Sequence, residues 1–132
     1  RVFKGSKKEI GWYDVSLSEA GRSDVFRGVD EGRNLRVFQW HGDTYDLPKG
    51  AAILASTDSY PQAFRSGSAI GIQFHLEVDE KMIRRWIMEY NKEILAEGIR
   101  EQEVLPRSGY LESLARNCAA VYKNFVSELR AR

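Results

Sequence analysis

Gly71-Ile72-Gln73-Phe74-His75-Leu76-Glu77-Val78-Asp79 is where the chain changes character. Before it, Ala69 to His75 carries β-branched and aromatic side chains and reads as a strand. After it, the apolar residues Met82, Ile83, Trp86, Ile87, Tyr90 and Ile94 recur at spacings of three and four, which predicts an amphipathic helix over 79–97. Asp79 is the expected N-cap and Gly98 the expected stop. A strand that passes into a helix through so few residues is a connection common in α/β units. Functional groups in such sheets collect at strand C-terminal ends, the edge where His75 and Glu77 lie.

Working outward, the two sides differ in punctuation. Nine of the 11 glycines and two of the three prolines precede Val78, so residues 1–78 should be strands joined by tight loops. The strand candidates are Glu9 to Leu17, Leu35 to Trp40, Ala51 to Ser56, Gln62 to Arg65 and Ala69 to His75, with a short helical turn around Ser23 to Arg27. On the other side, residues 79–132 should be helical. Pro106 breaks the first helix from a second that begins near Ser108, with Leu111, Leu114, Cys118, Val121, Tyr122, Phe125 and Leu129 on one stripe. The expected class is α/β, short strands followed by two long helices.

Composition excludes several functions. With 42% hydrophobic and 30% charged residues, the 132-residue chain is neither disordered nor fibrous. Its longest apolar runs, such as Ala51 to Ala55, are far below the ~20 residues of a membrane span. Lys and Arg number 20 against 19 Asp and Glu, evenly spread, so there is no basic footprint for nucleic acid or membrane. One cysteine and no secretory segment at the start point to a cytoplasmic protein.

The chain has two histidines, each beside a carboxylate: His41-Gly42-Asp43, expected as a polar turn between strands, and His75-Leu76-Glu77. Residues two apart on an extended segment share a face. Glu77 can therefore accept from one His75 nitrogen and leave the other free to take a proton, the orienting half of a nucleophilic triad. The bland alternative is a strand-end histidine, with Glu77 favouring the start of the next helix. A nucleophile is missing. Cys118 lies mid-stripe on a helix, where a thiol behaves as a small hydrophobe, and no Gly-x-Ser-x-Gly elbow occurs. A second class is a metal site, in which His41, Asp43, His75 and Glu77 would supply two imidazoles and carboxylates.

Five segments in order carry a family resemblance: Lys8-Glu9-Ile10-Gly11-Trp12, Val37-Phe38-Gln39-Trp40-His41-Gly42-Asp43-Thr44, Leu47-Pro48-Lys49-Gly50-Ala51, Gln62-Ala63-Phe64-Arg65 and Gly71-Ile72-Gln73-Phe74-His75-Leu76-Glu77. Together they resemble the C-terminal half of a class I glutamine amidotransferase domain of flavodoxin-like fold, closest to stand-alone members similar to the glutaminase part of GMP synthase. The resemblance implies hydrolysis of the L-glutamine side-chain amide to glutamate and ammonia through a Cys-His-Glu triad, with no cofactor. His75 matches the family's histidine and Glu77 its glutamate, while His41, Gly42 and Asp43 match the segment bordering the glutamine pocket. Ammonia would pass to a synthase domain or subunit. The family's Gly-x-Cys-x-Gly elbow and glycine-rich oxyanion loop precede the Glu9-Ile10-Gly11-Trp12 segment, and neither occurs here. Residues 1–132 are thus expected to be a partial domain, a fragment inactive alone. Its sheet would lack the central parallel strands and would pair with the missing N-terminal half or self-associate. A third class is a non-catalytic module that keeps the amidotransferase surface.

Overall fold

The computed structural model describes residues 1–29 and 33–131. Strand β1 (Val2–Leu17) forms a long antiparallel ribbon with β2 (Asn34–Tyr45), and its far end alone pairs with β3 (Ala52–Ser56) through Ser16 and Leu17. Strands β4 (Pro61–Ser66) and β5 (Ala69–Ile72) extend this sheet antiparallel, giving the order β2-β1-β3-β4-β5. Each expected strand is present, but β5 ends at Ile72, short of the expected His75, and β1 and β2 are longer than their alternation signalled. Their extensions pair with each other, Val2 to Lys4 opposite Tyr45 to Asp43, and a bulge between Lys4 and Glu9 absorbs the mismatch. His41, Gly42 and Asp43 consequently lie inside β2 and form no turn, because a paired partner strand outweighs the local Gly-Asp signal.

Between β1 and β2 lies α1 (Glu19–Ser23), four residues earlier than the expected turn at Ser23 to Arg27. Ser18 decides the start: its hydroxyl accepts from the Gly21 N–H at 2.9 Å and donates to the Ile53 carbonyl at 2.6 Å, which pins the helix to β3. Gly21 seats against that strand so closely that a Cβ there would lie 2.1 Å from the Leu54 carbonyl oxygen. Gly21→Ala is therefore expected to cost about 1–3 kcal/mol, read as a lower urea midpoint with unchanged slope. A loss under a few tenths would contradict this close seating.

The helical half departs from its pattern in three places. The helix expected over 79–97 is two, α2 (Glu80–Glu89) and α3 (Asn91–Ala96), because Tyr90 leaves helical geometry at φ −110° and ψ 27° while its ring packs on Trp40 at 5.8 Å. Asp79 caps α2 as expected, its carboxylate accepting from the Met82 N–H at 2.8 Å, and Gly98 takes φ +68° just beyond α3. A short helix, α4 (Glu101–Val104), occupies what reads as a linker. Tertiary contact makes it: Val104 is fully buried, its carbonyl accepts from Trp12 Nε1 at 3.0 Å, and Gly11 at φ +107° lets the Glu103 carbonyl approach β1.

The last helix, α5 (Tyr110–Arg130), follows its predicted span and half of its predicted stripe: Leu114 is buried, and Leu111, Cys118 and Val121 pack against the core. Its buried residues are Leu114, Asn117 and Asn124, and the Asn124 amide donates to the Val25 and Arg27 carbonyls at 2.8 Å each. Tyr122, Phe125 and Leu129, expected on the apolar stripe, stay exposed. Tyr122, Phe125 and β5, the edge strand, border an open apolar groove of about 350 Å³ lined by Ile70, Ile72, Phe74, Cys118, Val121 and Glu77, among others. Among the described residues, no helix is long and apolar enough to cross a membrane.

Candidate active site

Backbone pairing places His75 before any side chain does. Beyond β5 the Gln73 N–H still donates to the Gln62 carbonyl of β4 at 2.8 Å, and the chain then bridges to β2: the His75 N–H donates to the Phe38 carbonyl at 2.8 Å, and the Phe38 N–H donates to the His75 carbonyl at 3.1 Å. Phe38 is completely buried, so this bridge anchors His75 to the core. His75 Nδ1 then meets Glu77 Oε1 at 2.7 Å, while Glu77 Oε2 accepts from the Leu76 N–H at 3.0 Å. An ionised carboxylate only accepts, so Nδ1 donates, and in the neutral imidazole Nε2 is then the nitrogen with the lone pair. The sequence-predicted pair is therefore formed.

Electrostatics favour the same state. Burial alone pushes the Glu77 carboxyl up, but its own and the Leu76 backbone N–H groups and the His75 imidazole outweigh that and hold it below the usual carboxylate range. The His75 side chain is 31% exposed and that of Glu77 58%, so a reacting group can reach them. An accessible imidazole with a fixed tautomer and a free nitrogen is a general base in form.

His41 sits in a different setting. Its Nε2 lies 3.0 Å from Glu9 Oε1 and its Nδ1 2.9 Å from the Asp43 carbonyl, so both nitrogens face acceptors and the side chain is only 6% exposed. Glu9 Oε1 also accepts from Gln62 Nε2 at 2.7 Å, and Gln62 Oε1 accepts from Gln39 Nε2 at 2.8 Å, which makes a buried polar chain across β1, β2 and β4. Sequence reading took Gln39 and Gln62 as plain strand residues. Their shared face with His41 and Glu9 follows from period-two alternation once the register is known. Gly42 and Asp43 border a separate cleft with Lys4, Gly5, Ser6, Lys7, Lys8 and Glu97, not the groove that Glu77 borders.

The metal alternative fails on geometry. Among the described residues, no group of three or more His, Cys, Asp or Glu side chains converges to hold a metal ion, because each imidazole is already engaged with its own carboxylate. Cys118, the only thiol, lines the apolar groove, and burial together with the Glu77 charge pushes it up, away from the thiolate.

Comparison with known proteins gives these features a context. No protein-family model matches the chain. Over 96 residues it is 31% identical to the glutamine amidotransferase-like protein YfeJ of Salmonella typhimurium, an alignment covering 70% of this chain and 39% of that protein. It is also 31% identical over 86 residues to the GMP synthase [glutamine-hydrolyzing] of Desulfotalea psychrophila, covering 62% and 16% of the two. A solved glutamine amidotransferase from Thermotoga maritima superposes with a TM-score of 0.72 at 33% identity, over 97% of this chain and 54% of that one. A glutamine amido transferase structure from Methylobacillus flagellatus shares the fold, with a TM-score of 0.75 at 20% identity over 96% and 55%. The chain thus spans about half the length of these solved structures and less of the curated relatives. In sequence and fold together the chain is similar to glutamine amidotransferases and to the glutamine-hydrolysing GMP synthase.

Proposed function

We propose that the protein carrying this chain hydrolyses the side-chain amide of L-glutamine, with His75 as base and Glu77 as the group that orients it. One observation carries the reading: the 2.7 Å contact that commits His75 Nδ1 to Glu77 and leaves Nε2 free on an accessible ring. In the reaction, a cysteine thiol gives its proton to Nε2 as the sulfur attacks the amide carbon. His75 returns that proton to the departing nitrogen as ammonia leaves and a γ-glutamyl thioester remains. Water, deprotonated by the same nitrogen, then releases glutamate and restores the thiol.

The nucleophile is not among these residues, since the only thiol, Cys118, is a helical groove residue held away from the thiolate. It would come from a segment outside this sequence, the N-terminal half of the domain that the resemblance implies. The edge strand β5 and the apolar groove give such a segment a seat, and Glu77 at the groove's border would place its cysteine beside His75. Self-association over the same face is the competing occupant. His41, Gly42 and Asp43 are assigned to the border of the glutamine site, with the Glu9 and Gln62 contacts holding His41 rigid. A synthase domain or subunit would receive the ammonia, in the cytoplasm.

The test is release of glutamate and ammonia from glutamine labelled in the amide nitrogen. Turnover is expected from the protein that carries this chain together with an upstream elbow cysteine, and none from residues 1–132 alone. Glutamate release by the purified 132-residue chain would refute the assignment of the nucleophile.

A further inference from the structure

We propose that Trp86 is a positioning residue for His75, fixing the plane of the imidazole so that Nε2 faces the incoming thiol. This rests on the reading of His75 as the base. Glu77 holds the ring at one atom only, and Glu77 is itself a largely exposed side chain held only by its own and the Leu76 backbone N–H groups. A second restraint is therefore needed if the ring is to keep one orientation, because attack geometry tolerates little misplacement.

Trp86 supplies it. Its ring lies 5.2 Å from the His75 ring at an interplanar angle of 69°, the edge-to-face arrangement that aromatic pairs prefer. The indole is wedged in turn, with Phe38 at 6.0 Å and Trp40 at 6.0 Å, the latter nearly perpendicular. Trp40 cannot swing aside: its Nε1 donates to Glu93 Oε1 at 2.6 Å, and Glu93 Oε2 accepts from Lys8 Nζ at 2.7 Å. Phe38 closes the arrangement, since its backbone exchanges two hydrogen bonds with His75 while its ring supports Trp86. His75 is thus held by β2 at its backbone, by Glu77 at Nδ1 and by α2 across its ring.

Packing alone explains less. Helix α2 seals its core side with Ile83 and Ile87, and Trp86 stands half-buried at the margin where His75 emerges. A residue present only to fill the core would change stability when replaced, not the tautomer of a neighbouring ring.

The experiment reads that difference in the protein that carries this chain. In Trp86→Leu, the ¹⁵N spectrum of the His75 ring should change from one Nδ1–H tautomer to a mixture. The kcat for glutamine hydrolysis should fall about 10–100-fold while KM stays within about two-fold. Trp86→Phe, which keeps an aromatic edge, should restore a single tautomer and hold kcat within about three-fold of the parent. A Trp86→Leu protein with native near-ultraviolet dichroism, an unchanged ring spectrum and unchanged kcat would overturn the proposal. Hydrolysis that survives His75→Ala is a separate outcome. It would overturn the assignment of the base, whatever the ring spectrum shows.

Discussion

His75→Ala is expected to lower kcat/KM for glutamine about 10⁴-fold or more in the protein that carries this chain, with its urea midpoint nearly unchanged. The two halves of that expectation have different physical sources. The catalytic loss follows because alanine has nothing to take the thiol proton or return it to ammonia, and a thiol near its free pKa is mostly protonated at neutral pH. Stability is spared because the His75 backbone, not its ring, makes the two hydrogen bonds to Phe38. Glu77→Gln should lose less, roughly 10²–10⁴-fold, since an amide oxygen can still accept from Nδ1 but no longer carries the charge that stabilises the imidazolium. The sign of the pH dependence follows from the carboxyl. Glu77 is held below its ordinary value, so its contribution is present above that value and fades only as pH falls through the lowered one. Through the neutral range, changes in rate should therefore trace to other groups. A His75→Ala enzyme within tenfold of the parent would remove the base from the mechanism.

Much of this site was legible because it depends on local chemistry. The pairing of His75 with Glu77 needed only two residues on one short segment, and the start of α2 needed only the Asp79 carboxylate at an N-cap. What sequence reading missed was decided by distant partners. Gly42 and Asp43 have turn chemistry, yet β1 pairs with His41 and Asp43 on either side of Gly42 and draws the segment into a strand. Tyr90 continues the apolar spacing of α2, yet its ring meets Trp40 and the helix breaks there. On α5 only part of the apolar stripe is covered: Leu111, Leu114, Cys118 and Val121 pack on the core, while Tyr122, Phe125 and Leu129 stay exposed. Asn117 and Asn124 are buried as well, the Asn124 amide donating to carbonyls of the segment after α1, and an apolar surface is left beside Glu77. Trp86 illustrates the limit most directly: its spacing marks it as a helix-face residue, and nothing in one dimension shows that the face meets His75.

Phe38→Ala should be the most damaging single substitution in the described core, costing about 3–5 kcal/mol of stability. The side chain is fully buried, with ring neighbours on three elements: Trp12 of β1 at 5.3 Å, Trp40 of β2 at 6.3 Å and Trp86 of α2 at 6.0 Å. Trp12 and Trp40, held by their own hydrogen bonds, and Trp86, wedged by its ring neighbours, cannot easily collapse into the space, so the cavity term adds to the lost transfer energy. Phe38→Leu keeps most of the volume and should cost less, about 1–1.5 kcal/mol. Chemical denaturation monitored by tryptophan fluorescence would read both changes, because the ring's removal also alters the surroundings of all three indoles. The backbone bridge to His75 needs no side chain at position 38, so folded Phe38→Ala protein should keep the His75 to Glu77 contact while losing the support behind Trp86. Activity per folded molecule should then fall about as far as in Trp86→Leu and far less than in His75→Ala. A stability loss under about 1 kcal/mol would mean that this aromatic cluster is not the core of the chain.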